Sequence, residues 1–156
     1  MVIKPSIILN PSVIKYKPQI PSGLVIVIDT REQSPYRPDG IPSIRTKLNF
    51  GDYSIKGFED QVSIERKSLD DFYGSIGRNR ARFKRMLDRM NKAEFKGLLI
   101  EAYEDEILRP ELSYSNIHSN SVYASMIAME VKYGLHIYCG SRKDCENKMI
   151  NWLVYY

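Results

Sequence analysis

The chain has 156 residues, 43% of them hydrophobic and 27% charged, which bounds it to one globular domain with a real core. A net charge of +4 and an isoelectric point near 9.0 favour an anionic partner without naming one. No apolar run approaches the length of a membrane span. Cys139 and Cys145 match neither a disulfide framework nor a metal spacing, so a reduced, intracellular setting is expected.

Residues 1–22 carry Pro5, Pro11, Pro18 and Pro21, a density that excludes a helix and predicts an extended arm. The arm lacks the hydrophobic region and small-residue cleavage site of a signal peptide. The domain proper is expected over 23–156. It opens with a β-branched run, Leu24 to Ile28, which reads as a buried strand ending in Asp29. Four Pro and Gly residues make 33–42 a loop. Residues 44–50, 53–55 and 61–67 read as three strands of an antiparallel meander around Gly51-Asp52 and Gly57.

Ser68 is placed as N-cap of a short helix to residue 76, with Asp71 at the capping-box position. A better helix is expected over 78–90, where Phe83, Met86, Leu87 and Met90 form one apolar face. Residues 95–101 read as a second buried strand. Residues 103–115 read as a helical turn and a loop. A helix apolar nearly all round follows over 121–133, stopped by Gly134. A short strand at 135–138 precedes a last helix, capped by Ser141 with Asp144 completing the box. This order suggests an α/β protein, a central mixed β-sheet flanked by helices on both faces.

The most informative string is Gly51-Asp52, a gap, then Glu65-Arg66-Lys67 and Asp71, with Asp29 and Glu32 upstream. In a strand, alternate side chains share a face. Val62 and Ile64 therefore point to the core, and Ser63, Glu65 and Lys67 to the other side. Glu65 and Lys67 stand about 7 Å apart along the strand, near enough for a cation-bound water to sit between them. Arg66 falls with the core residues, where it is expected to pair with a carboxylate. Oxygen ligands from Asp52 and Glu65 suit Mg2+ or Mn2+, and such a site can ready a water for phosphodiester cleavage. Plainer readings stand beside these. Glu65 and Lys67 also make sense as an ion pair, Asp71 as the partner of Ser68, and Asp29 as a strand-end turn residue.

The strings Ile28-Asp29-Thr30-Arg31-Glu32, Gly51-Asp52-Tyr53 and Ile64-Glu65-Arg66-Lys67-Ser68-Leu69-Asp70-Asp71 resemble the XPF-type structure-specific endonuclease domain, a branch of the restriction-endonuclease-like nucleases. The resemblance implies that fold and a metal-dependent endonuclease acting on branched, flapped or forked DNA. It implies Asp52 and Glu65 as metal ligands and Lys67 as the group orienting the attacking water. Asp29 and Glu32 follow as further acids near the metal, Asp29 counted among its ligands, with Arg66 and Asp71 in support. It also implies a homodimer. Family members often carry a tandem helix-hairpin-helix DNA-binding domain after the nuclease. These residues run to Tyr156 without one, so a helper DNA-binding protein is expected.

Arg78, Arg82, Arg85 and Arg89 fall on one helical stripe, widened by Arg80 and Lys84, with Asp88 the one acid among them. A face of a single sign favours DNA phosphate contact over plain solvation. Tyr36, Tyr53 and Tyr73 are candidates for stacking on bases, and the apolar chain end from Trp152 for a dimer face. The main alternative is a catalytically silent DNA-binding and dimerisation subunit, which has no need of the complete set of acids plus lysine.

Overall fold

The computed structural model describes residues 16–113 and 115–156. The expected N-terminal arm thus lies for the most part outside the described residues. One sheet is built from β1 (Ile26–Asp29), β2 (Ser43–Thr46), β3 (Tyr53–Ile55), β4 (Val62–Lys67), β5 (Phe95–Ile100) and β6 (His136–Cys139), in the order β2-β1-β3-β4-β5-β6. β3 runs antiparallel to both β1 and β4, whereas β1–β2, β4–β5 and β5–β6 are parallel. The helices are α1 (Leu69–Ile76), α2 (Arg80–Met90), α3 (Glu104–Ile107), α4 (Ser119–Tyr133) and α5 (Arg142–Tyr155), with a 3-10 turn at Pro110–Ser113.

Strand parity divides the core into two layers. Leu98 and Ile100 face Phe72, Phe83, Leu87 and Met90 of α1 and α2, together with Val122 and Met129 of α4. Ile26, Ile28, Val62, Ile64 and Leu99 face the other way, onto Cys145, Met149 and Leu153 of α5. The central strands are therefore covered on both sides, which is why β1 reads as an unbroken apolar run rather than an alternating one. Burial pushes the thiols of Cys139 and Cys145 up to about 12, so both behave as small core hydrophobes. Among the described residues no helix is long and apolar enough to cross a membrane.

Several expectations change. The segment after Pro42 is no meander strand. β2 stops at Thr46 and pairs parallel to β1 at the sheet edge. It stops there because the Leu48 backbone is diverted: its N–H donates to Asp29 Oδ2 at 2.7 Å and its carbonyl accepts from Arg31 Nη2 at 3.0 Å. α2 begins at Arg80, leaving Arg78 in the turn between helices. α4 begins earlier than expected, capped by His118, whose Nδ1 accepts from the Asn120 N–H at 3.2 Å. The apolar circumference of α4 is not all core, since Ile127 is 41% and Val131 79% exposed. Of the apolar C-terminal run, Leu153 is buried and Trp152 packs edge-on against Phe95, while Tyr155 and Tyr156 are exposed. The capping box of Ser141 and Asp144 on α5 forms as expected.

The contact between β5 and α5 turns on an absent side chain. A Cβ on Gly97 would lie 2.5 Å from Cζ3 of Trp152. Gly97→Ala is expected to destabilise the protein by about 1–3 kcal/mol through overpacking. It should also shift the emission of Trp152, the chain's one tryptophan. Chemical denaturation followed by tryptophan fluorescence reads both effects, and an unchanged midpoint and spectrum argue against this packing.

Candidate active site

Three neighbouring strands bring the acids together. β1 pairs with β3 as Ile28↔Tyr53, and β3 with β4 as Tyr53↔Ile64. One step further along the same register lie Asp29, Asp52 and Glu65, in a row on one face. The row is closed by backbone bonds: the Asp29 N–H donates to the Asp52 carbonyl and the Asp52 N–H to the Ile64 carbonyl, both at 2.8 Å. Gly51 makes the approach possible. Its φ is +74°, and a Cβ there would stand 2.3 Å from Ser63 Oγ. Beyond Lys67 the chain enters α1 through Ser68, whose Oγ accepts from the Asp71 N–H at 3.2 Å. The reciprocal half of a capping box is not made there, so the exposed Asp71 carboxylate is left to face the cleft.

That cleft, about 350 Å3, is lined by Asp29, Asp52, Glu65, Lys67, Asp70 and Asp71 together with Arg31, Arg78, Arg82 and Arg89. Lys67 Nζ donates to Glu65 Oε1 at 3.1 Å and sits 4.9 Å from the centre of the Phe83 ring. The i, i+2 parity thus places these two groups as expected, with an aromatic wall fixing the lysine. Asp52 is held by the Arg66 N–H, 2.8 Å from Oδ2. Burial, and then the neighbouring Glu65, push the Asp52 carboxyl well above its ordinary range.

The two upstream acids behave differently. Asp29 belongs to the row, but its oxygens are occupied by the N–H of Leu48 and by the N–H, Nε and Nη2 of Arg31. Burial works against its charge, yet these bonds hold its pKa below the usual value. Among the described residues no group of three or more acidic, histidine or cysteine side chains has metal-holding geometry. The oxygens of Asp29, the third expected ligand, are thus already engaged within the protein. Asp52 and Glu65 form the candidate pair, and Asp29 shapes the loop beside it. Two carboxylates, one of them raised by burial beside the other, are the donor set that suits Mg2+, which keeps several waters.

Glu32 does not line the cleft, although its charge adds to the rise of Asp52. It is buried on the opposite face and accepts from Nε and Nη2 of Arg66, each at 2.9 Å. Burial is outweighed by these bonds, so its pKa lies below the usual range. Arg66 also reaches Glu101 at 3.1 Å, and Glu101 accepts from Arg142 Nη1 at 2.9 Å and from the Tyr36 hydroxyl at 2.7 Å. Arg66 thus pairs with carboxylates on the core side, as parity required. Glu101 and Arg142 escaped notice in the sequence, and Tyr36 was marked there only as a base-stacking candidate. The signal was there, because Glu101 is the charged residue closing the apolar run of β5, as Asp29 closes β1. Tyr36, Tyr53 and Tyr73 are all buried, which removes them as base-stacking candidates. Of the four stripe arginines, Arg85 is exposed but does not line the cleft.

A mixed six-stranded sheet flanked by helices, with acids at the ends of the central strands and a lysine beside them, defines the α/β nuclease type of the XPF fold. The chain belongs to the ERCC4 domain family, whose model matches residues 28–154. Among solved structures it is similar to XPF from Aeropyrum pernix, at 23% identity and a TM-score of 0.66, over 84% of this chain and 60% of that one. A second structure of that protein, in complex with DNA, matches at 22% identity and a TM-score of 0.64, over 85% of this chain and 64% of that one. The chain thus spans less than two thirds of the length of either. No curated protein matches it.

Two outcomes test this electrostatic layout. The folded protein holds the Asp52 proton more tightly than the unfolded chain does. Stability therefore falls as pH rises from the ordinary carboxylate range through the raised folded value. Asp52→Asn is expected to raise the melting temperature of the metal-free protein at about pH 8, with the gain shrinking toward about pH 4. A thermal melt in chelator at both pH values reads this, and a lower melting temperature at the higher pH contradicts it. Arg66→Ala leaves the buried Glu32 carboxylate without its guanidinium partner and takes one of three side-chain donors from Glu101. It is expected to cost about 3–5 kcal/mol in equilibrium denaturation, whereas an exposed stripe arginine changed to Ala is expected to cost at most about 0.5 kcal/mol.

Proposed function

We propose that this domain is a divalent-metal-dependent DNA endonuclease acting at branched, flap or fork structures. The observation that carries the reading is the convergence of Asp52, Glu65 and Lys67 in one cleft that Arg78, Arg82 and Arg89 also line. Asp52 and Glu65 hold Mg2+ or Mn2+ through oxygen. When bound, that cation stabilises the charge building on the scissile phosphate and acidifies the attacking water. Lys67, fixed by Glu65 and the Phe83 ring, donates a hydrogen bond that orients this water. Asp71 at the mouth of α1 is placed to accept from water in the same cleft. Arg78, Arg82 and Arg89 take the phosphates on either side of the cut. That one matched relative is in complex with DNA fits this assignment.

The partner chemistry follows the same lines. Exposed Tyr123, Ile127 and Val131 form a row on α4, which supports association of two copies. The protein's place is then inside the cell, with DNA.

A panel of labelled flap, fork, nicked and four-way DNAs with Mg2+, Mn2+ or chelator tests the assignment. Wild-type protein is expected to cut at least one branched substrate with metal and none in chelator. Asp52→Ala and Glu65→Ala are each expected to lose cleavage by more than about 100-fold while binding DNA as before. Lys67→Ala is expected to slow the rate under saturating DNA more than it changes affinity. Binding of branched DNA with no cutting under any metal points instead to a silent DNA-binding subunit.

A further inference from the structure

α2 carries cations on both flanks, and only one flank serves the cleft described above. None of Arg78, Arg80, Arg82, Lys84, Arg85 and Arg89 makes a salt bridge among the described residues. Arg78, Arg82 and Arg89 line the cleft. Arg80 and Lys84 lean the other way, where with Lys132 of α4 they rim a separate groove of about 90 Å3. The floor of this groove is apolar, made by Ile76, Leu87 and Met129. Ser75 and Phe83 line both depressions, so the wall between them is one side chain thick. The hydroxyls inside donate to backbone, Ser75 to the Asp71 carbonyl at 2.8 Å and Ser125 to the Ser121 carbonyl at 2.7 Å, and Ser125 Oγ also accepts from Arg80 Nη1 at 3.5 Å. The nearby acid, Asp88, accepts from the Tyr133 hydroxyl at 3.1 Å and is not part of the lining.

We propose that the groove between α2 and α4 is a second subsite for nucleic acid, taking the backbone of an unpaired DNA strand that leaves the catalytic cleft across α2. The inference rests on the reading of the cleft as a DNA site. Three cations on one rim, none with a carboxylate partner among the described residues, match phosphate charge. A floor of aliphatic side chains suits the sugars and base faces that only a single strand exposes. Geometry separates the two forms of DNA further. An α-helix with its side chains is about 10–12 Å across. A strand that touches both flanks must bend over that width, which a flexible single strand does readily. Duplex DNA, with a persistence length of about 150 bp, resists it. The site thus gives a branched substrate somewhere to send its unpaired arm.

Binding in chelator tests this without any call on cleavage. The probes are an oligothymidylate of about 12 nucleotides and a duplex of equal length, each titrated by anisotropy over a salt series. Arg80→Ser/Lys84→Ser/Lys132→Ser is expected to weaken oligothymidylate binding at least about 10-fold at low salt. Its log–log salt slope should become shallower by about 2, the value for three contacts on a single strand. Duplex affinity is expected to stay within about twofold. An unchanged slope overturns the proposal, and so does an equal loss on duplex, which points to a duplex lying over α2. The three residues are exposed, so folding is not at issue. As a second readout, oligothymidylate should slow acylation of Lys84 and Lys132 in the wild-type protein several-fold, and absence of protection also overturns the proposal. The cleft variant Arg78→Ser/Arg82→Ser/Arg89→Ser separates the failures. If it loses DNA while the groove variant does not, the cleft stands and the groove falls. If neither variant changes binding, the DNA reading itself fails.

Discussion

The site depends on how Arg66 is held. Its backbone N–H fixes the carboxylate of Asp52 on the cleft side of the sheet. Its guanidinium, on the other side, is clamped between Glu32 and Glu101. One residue thus ties the candidate metal ligand to the loop after β1, to the end of β5 and, through Arg142, to α5. A bidentate pair in a buried setting is geometrically strict, and that strictness passes through the strand to Asp52. Buried ion pairs are weak stabilisers compared with apolar packing, and their best-attested use is to specify one arrangement. Here the arrangement specified is the register of β3 and β4 at the cleft.

The sheet also sorts the acids by what surrounds them. Asp29 and Glu32 are buried, yet arginines and backbone donors keep both fully ionised. Asp52 faces the opposite situation, with burial and a neighbouring carboxylate raising it and only one backbone donor and the charge of Lys67 in relief. An acid that lacks an internal partner beside a second acid is a position where a cation is stabilising. Groups whose environments push their pKa values apart mark divided roles. The acids paired with arginine build the loops, whereas Asp52, with no side-chain partner, and Glu65, paired with Lys67, face the cleft.

α2 extends this division of charge outward. Its apolar side is pinned to the sheet by Phe83, Leu87 and Met90, which leaves its cations on the two flanks and on the crest. Phe83 contributes twice, to the core and as the wall against which Lys67 lies. The helix is thus a ridge between two basic depressions. Its position on the sheet decides which cations meet the acids and which meet α4.

Much of this was legible in the chain. Strand parity by itself put Glu65 and Lys67 on one face and Arg66 on the other, because side chains alternate whatever the strand pairs with. The Gly51-Asp52 and Glu65-Arg66-Lys67 strings, read with the family they resemble, marked the cleft, and the caps Ser68 and Ser141 marked two helix starts. These are local properties, set within a few residues. Pairing across the sheet is not local. That β2 joins β1 in parallel, that Asp29 and Arg31 both reach Leu48, and that Glu32 meets Arg66 behind the sheet depend on contacts between residues 17 to 34 positions apart. No periodicity encodes such contacts. Arg78, Arg82, Arg85 and Arg89 likewise formed one stripe on paper, and only the packing of α2 between the cleft and α4 divided them. The residue types and their spacing determined which chemistry was available, and tertiary packing decided which carboxylates were left free to use it.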